Sequence, residues 1–197
     1  DYDFERYFDT IQRLQGKEAG HDSDVMLFGA EAYTTVRWIG NENGYAHKNT
    51  WSKSIVNYEK NTIDSNKDGA YYKGHENGNQ WTVPESDARI TSGWFWGTKK
   101  NTPKTIEELA TMYFNSVGHN SPLLLNIPPN NQGSLDDSIR ERTLEFGQNI
   151  RDTFKNNLLL QEGVSITASD TRENTSTQNL LDKNDETIWA TNDDTHS

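Results

Sequence analysis

Leu123-Leu124-Leu125-Asn126-Ile127 is apolar at every position but one and stops at Pro128-Pro129. A short run without alternation reads as a strand covered on both faces, the condition of a parallel sheet flanked by helices. The neighbouring segments supply those helices. Thr105 and Glu108 stand at capping-box spacing, and Ile106, Leu109, Ala110, Tyr113, Phe114 and Val117 form a stripe, so a helix is expected over Thr105–Val117. Ser134 is expected to cap a second helix running to about Asn156, with Ile139, Phe146, Ile150 and Phe154 inward.

The rest of the chain fits the same plan. Asp1–Gln15 places Phe4, Tyr7, Phe8, Ile11 and Leu14 at helical spacing before Gly16, and opens within a helix turn as if cut. After a polar patch (Gly16–Asp24), strands are expected at Val25–Phe28, Thr34–Ile39 and Ile90–Trp96, with a polar loop between Tyr45 and Val83. A loop of that length reads as functional or inserted. The order implies an α/β fold with parallel strands and crossover helices over residues 1–160. Beyond Leu160 the texture becomes rich in Thr, Ser, Asn and Asp without helical period, and residues 161–197 read as the start of a β domain. No internal repeat is present.

Charge and composition narrow the chemistry. A net charge of −11 argues against nucleic acid or an anionic membrane as partner. Without cysteine there is no disulfide, thiolate zinc site or cysteine nucleophile. No apolar run spans a bilayer, and no basic, apolar leader opens the sequence. Leu, Ile, Val and Phe make up only about a fifth of the residues, near the composition of disordered chains, yet aromatics reach 11%. A folded fragment with long polar loops, its core completed by other sequence, reconciles the two.

In parallel α/β folds the chemistry gathers at the C-terminal ends of strands. Three such ends stand out: Arg37-Trp38-Ile39-Gly40-Asn41-Glu42-Asn43-Gly44; Glu85-Ser86-Asp87 leading to Gly93-Trp94-Phe95-Trp96; and Asn126 before the prolines. Carboxylates, amides and Trp together suit a sugar site, because glycosidic cleavage uses two carboxyl groups and a pyranose face can lie on an aromatic ring. Taken singly, each residue also has a plain reading. Glu42 is equally a solvated loop acid, Glu85 and Asp87 turn or helix caps, the Trp residues core, and Asn126 a partner for backbone groups. His75 and His119 are isolated. Asp64, Asn66 and Asp68 with Gly69 resemble the first half of a calcium loop, but His75 occupies the position that needs a bidentate acid and Glu76 misses it by one. No cofactor or metal is therefore expected.

Together these segments resemble glycoside hydrolase family 29, the alpha-L-fucosidases, in the subfamily acting on α-1,3/1,4-linked fucose. Arg37 to Gly44 looks like its Arg-Trp-x-Gly-Asn-Glu-x-Gly signature. Glu85-Ser86-Asp87 with Gly93-Trp94-Phe95 resembles a second segment, and Thr105 through Pro129 with Gly133 a third. Tyr2-Asp3-Phe4 with Arg6-Tyr7 resembles the helix after the family's nucleophile strand. Where the group often reads Arg-Pro-Gly-Trp-Phe-Tyr-His, this chain has Thr91 to Gly97, and Gly16–Tyr33 is longer than usual.

The resemblance implies the C-terminal half of a (β/α)8 barrel in a retaining exo-fucosidase, secreted or at a bacterial cell surface, with a fucosylated oligosaccharide or glycoconjugate as substrate. It implies Glu42 as general acid/base, with Glu85 the second choice. Trp38, Asn41, Glu85, Trp94 and Asn126 become substrate-binding residues. The family's nucleophilic Asp lies upstream of the first helix, where Asp1 and Asp3 do not match, so the isolated chain is expected to be inactive. Ile166–Ser169, Asn179–Asp182 and Thr187–Thr191 resemble the first strands of a discoidin-like (F5/8 type C) β-sandwich. A non-catalytic carbohydrate-binding protein is the alternative.

Overall fold

The structure is a computed structural model describing residues 2–15, 25–29, 31–97 and 101–192. Asp1 and the polar patch Gly16–Asp24 lie outside the described residues. Two compact units divide the chain, Asp1–Gly147 and Gln148–Ser197.

A three-stranded parallel sheet organises the first unit. Its strands are β1 (Val36–Trp38), β7 (Val83–Arg89) and β8 (Leu123–Asn126), with β7 central. The helices are α1 (Phe4–Gln15), α2 (Ile106–Ser116) and α3 (Asp137–Phe154), the last running across the boundary between units. Thr105 caps α2 in a reciprocal box with Glu108. Helix α2, the outer face of β7 and the start of α3 close on a core of Ala88, Ile90, Leu109, Met112 and Ile139. Leu123, Leu125, Ile127 and Phe146 pack against it. Fully burying each large apolar side chain here contributes about 2 kcal/mol.

Several sequence expectations are corrected. The expected strand Ile90–Trp96 is displaced, because β7 precedes it and Glu85 and Asp87 sit within the strand rather than capping a turn. A proline in a central strand is tolerated here for a specific reason. Val83 donates toward the β1 side, to the Thr35 carbonyl, while Ser86 donates toward the β8 side, to that of Pro122. Pro84 faces the β8 side before pairing with β8 begins at Ser86, so its missing N–H breaks no ladder bond. Val25–Phe28 forms only a parallel bridge, Phe28 with Val36. Ser134 does not cap α3, which begins at Asp137, and Phe154 is exposed rather than inward.

The expected loop Tyr45–Val83 is a small β-subdomain inserted between β1 and β7. It contains β2 (Lys53–Asn57), β3 (Thr62–Asp64), β4 (Lys67–Asp68), β5 (Tyr71–Tyr72) and β6 (Gln80–Trp81), all paired antiparallel. Its interior is unusually polar. Ser54 Oγ lies 2.9 Å from Ser65 Oγ and 2.7 Å from Thr82 Oγ1, all three residues buried. Buried Arg37 enters from β1 and donates to the carbonyls of Tyr72 (3.2 Å), Thr82 (2.5 Å) and Trp51 (2.8 Å).

In the second unit the described residues carry 3-10 turns at Leu158–Leu160 and Thr177–Leu180 and no strand, including over the stretches read as strand-forming. Residues 170–172 nevertheless lie beside 190–192. Arg172 N donates to the Ala190 carbonyl at 2.9 Å, and Asn192 N to Asp170 Oδ2 at 2.7 Å. Among the described residues no helix is long and apolar enough to cross a membrane.

Candidate active site

The alternation of β7 builds one wall. Pro84, Ser86 and Ala88 turn outward and are buried, leaving Glu85, Asp87 and Arg89 on the opposite face. Trp38, the ladder partner of Glu85 on β1, donates its indole N–H to Asp87 Oδ1 at 2.7 Å. Trp38, Glu85 and Asp87 share a cleft of about 510 Å³ with Met26, Phe28 and Leu124. Burial, and then the charge of Asp87, raises the Glu85 carboxyl above the ordinary glutamate range.

Glu42 sits in the turn that follows β1. Gly40 makes that turn possible: it has φ +104, and a Cβ there would fall 2.7 Å from the Ala70 carbonyl oxygen. Asn41 spends its amide on the backbone, donating to the carbonyls of Tyr45 (2.9 Å) and Ala70 (3.4 Å) and accepting from Asn43 N (3.1 Å). The turn therefore holds an exposed carboxylate on a fixed backbone. Two donors converge on a single oxygen of it: the Trp94 indole N–H lies 2.9 Å, and Arg89 Nη1 3.5 Å, from Oε2. Arg89 also lies over the Trp94 ring, 5.2 Å from its centroid. No hydrogen bond among the described residues engages Oε1.

The loop carrying Trp94 is pinned from behind. Asn126 Nδ2, at the end of β8, donates to the Trp94 carbonyl at 2.8 Å. Lys104 Nζ donates to the carbonyls of Arg89 (2.7 Å) and Thr91 (2.9 Å), and its pKa is lowered by burial and then by the Arg89 charge. Further along, Trp96 donates to Asp136 Oδ2 at 2.8 Å, and Asn130 to Oδ1 at 3.1 Å.

Of the residues read from the sequence, Glu42, Trp94 and Asn126 come together, and Trp38 and Glu85 come together on the β1–β7 wall. Arg89 is the residue that sequence reasoning missed. Its signal was the two-residue spacing Glu85, Asp87, Arg89, which puts all three on one strand face. Asp64 and Asp68 each face a basic side chain. Asp64 lies 3.1 Å from His75 Nε2, and Asp68 accepts from Lys73 Nζ at 2.8 Å. No cluster of three or more His, Asp or Glu able to hold a metal occurs among the described residues. His119 bonds the Ala46 carbonyl through Nδ1 at 3.0 Å.

Residues 17–153 match the profile of the protein family described as Alpha-L-fucosidase. The chain is 32% identical over 194 residues to Alpha-L-fucosidase 1 of Arabidopsis thaliana, covering 96% of this chain and 36% of the relative. A Ruminococcus gnavus GH29 fucosidase solved in complex with fucose is 64% identical with a TM-score of 0.89, the match covering 97% of this chain and 38% of that one. The crystal structure of SpGH29 is 35% identical with a TM-score of 0.79, over 98% of this chain and 40% of the other. The chain thus spans well under half the length of these relatives.

Proposed function

Because this chain belongs to the alpha-L-fucosidase family, glycoside hydrolase family 29, we propose that it carries the acid/base portion of a retaining exo-fucosidase site. The observation behind this reading is the Glu42 carboxylate, fixed through Oε2 by Trp94 and Arg89 with Oε1 open. In a retaining mechanism Glu42 gives a proton to the departing glycosidic oxygen. It then takes one from the water that hydrolyses the glycosyl-enzyme. The nucleophilic carboxylate is supplied by residues outside this sequence, within a (β/α)8 barrel whose C-terminal strands are β1, β7 and β8.

Trp94 serves as a platform for the sugar, Trp38 and Glu85 contact it from the β1–β7 wall, and Asn126 holds the Trp94 loop. Asn41 acts by shaping the turn that presents Glu42. The substrate is a glycan or glycoconjugate bearing terminal α-1,3- or α-1,4-linked fucose, met outside a bacterial cell or at its surface. Residues 161–197 begin a discoidin-like module, and no metal or cofactor takes part.

The test is fucose release from an α-1,3- or α-1,4-fucosylated trisaccharide by the full-length protein and by Glu42→Gln. Release by the wild type with a loss of several orders of magnitude in the variant supports the assignment. Release that survives the substitution moves the role to Glu85. Fucoside binding without release makes the protein a carbohydrate binder and overturns the hydrolase reading.

A further inference from the structure

We propose that the groove around Trp51, on the inserted β-subdomain, is a glycan-binding site that stacks a neutral pyranose on the indole. The groove holds about 330 Å³, and Trp51, Ile55, Asn49, Asn66 and Asn77 line it. Trp51 is 44% and Ile55 46% exposed, an apolar floor set among amides.

The use of asparagine across the subdomain singles the groove out. Asn57, Asn61 and Asn79 spend their side chains on folding: they bond the backbone of Lys60, Ala32 and Val56 respectively. Asn49, Asn66 and Asn77 do not. Asn49 and Asn66 bond only through the backbone, and no side-chain hydrogen bond to any of the three occurs among the described residues. Three amides with donors and acceptors unspent, set around an aromatic ring, match the alternation of hydroxyls and apolar ring face on a pyranose.

The charges in the wall favour a neutral ligand. Lys73 Nζ is held by Asp68 at 2.8 Å and His75 Nε2 lies 3.1 Å from Asp64 Oδ2, so both basic groups already face carboxylates. Glu76, also at the groove, repels an anion.

The floor is built in advance. Trp51 N donates to the Lys73 carbonyl at 2.8 Å, and the Trp51 carbonyl accepts from buried Arg37 at 2.8 Å. Gly74, at φ +76, lets the chain pass so close that a Cβ would fall 2.3 Å from the Trp51 carbonyl oxygen. These contacts fix the backbone from which the Trp51 indole projects. Arg37 and Trp38 point to opposite sides of β1, so the groove lies across that strand from Glu85 and Asp87.

Binding here is independent of turnover. The probe is a fucose-free N-acetyllactosamine tetrasaccharide, titrated calorimetrically into the full-length protein, Trp51→Ala, the double variant Asn49→Ala/Asn77→Ala, and Glu42→Gln. Saturable binding is expected for wild type and Glu42→Gln, weakened about tenfold or more by either groove variant. Thermal melts establish that the variants fold, and the double variant decides should Trp51→Ala unfold. Absence of saturable binding by the wild type overturns the proposal, as does binding that both groove variants leave unchanged. Fucose release, assayed in parallel, reads the hydrolase assignment separately: either can fail while the other stands.

Discussion

At the scale of single residues, Arg37 and Trp38 are chain neighbours with opposite tasks. Strand alternation turns Trp38 to the wall of the site and Arg37 into the inserted subdomain. Burial lowers the Arg37 pKa to about 10, which leaves it charged at neutral pH. Its planar fork reaches three carbonyls in three separate stretches of the insertion, an arrangement the single ammonium of lysine does not reproduce. Arg37→Met therefore leaves those carbonyls without donors and is expected to cost about 3 kcal/mol. The measurement is a urea titration of the full-length protein, and Arg37→Lys should recover less than half of the loss. A variant as stable as the wild type would show that the insertion holds itself together.

At the scale of elements, legibility followed the kind of force that holds each one. Helix α2 was readable because its signals are local, above all the box between Thr105 and Glu108; of its expected stripe Leu109 is buried, while Phe114 and Val117 are exposed and Met112, outside the stripe, is buried instead. Thr105→Ala should lower stability by about 1 kcal/mol, read as a shift in the urea midpoint with unchanged slope. Strand β8 was readable from its unbroken apolar run, although the expected cover on both faces is not seen in this chain, where Leu124 is 55% exposed. Strand β7 was misplaced onto the aromatic run that follows it, since Glu85, Asp87 and Arg89 look unlike a strand when the face they occupy lines a site rather than a core. The segment Tyr45–Val83 was read as functional or inserted, but its strands were missed because two- to five-residue strands carry little pattern and its interior is closed by hydroxyls and an arginine from elsewhere in the chain. Ser54, Ser65 and Thr82 are buried there, at positions where Leu or Ile would be expected. In the candidate site, the resemblance singled out Glu42, Trp94 and Asn126, and the structure brings these three side chains or their loops together. Arg89 was not singled out, because its contacts from the end of β7 to Glu42 and to Trp94 are made only on folding.

At the scale of the whole molecule, the β1–β7–β8 sheet is a wall with an open side. Met26 (78%), Phe28 (56%) and Leu124 (55%) stand exposed in the same cleft as Trp38, Glu85 and Asp87; among the described residues β8 is an edge strand, and β1 is met on its other side only by the short Phe28–Val36 bridge. Apolar surface and unpaired strand edges call for further chain, and the match to only 38% of the R. gnavus relative says how much more such proteins contain. The candidate chemistry is divided in the same way. On the proposed mechanism Glu42 gives a proton to the glycosidic oxygen and later takes one from water, but retention of configuration needs a second carboxylate on the other side of the bond. Produced alone, the 197-residue chain is expected to release no measurable fucose from an α-1,3/1,4-fucosylated trisaccharide and to bind a hydrophobic dye such as ANS strongly. The full-length protein should release fucose and bind the dye weakly. Fucose release by the isolated chain would mean that one of its own carboxylates serves as nucleophile, with Glu85 and Asp87 the first to substitute. Equal dye binding by both would mean that the open side of the sheet remains in contact with solvent in the complete protein.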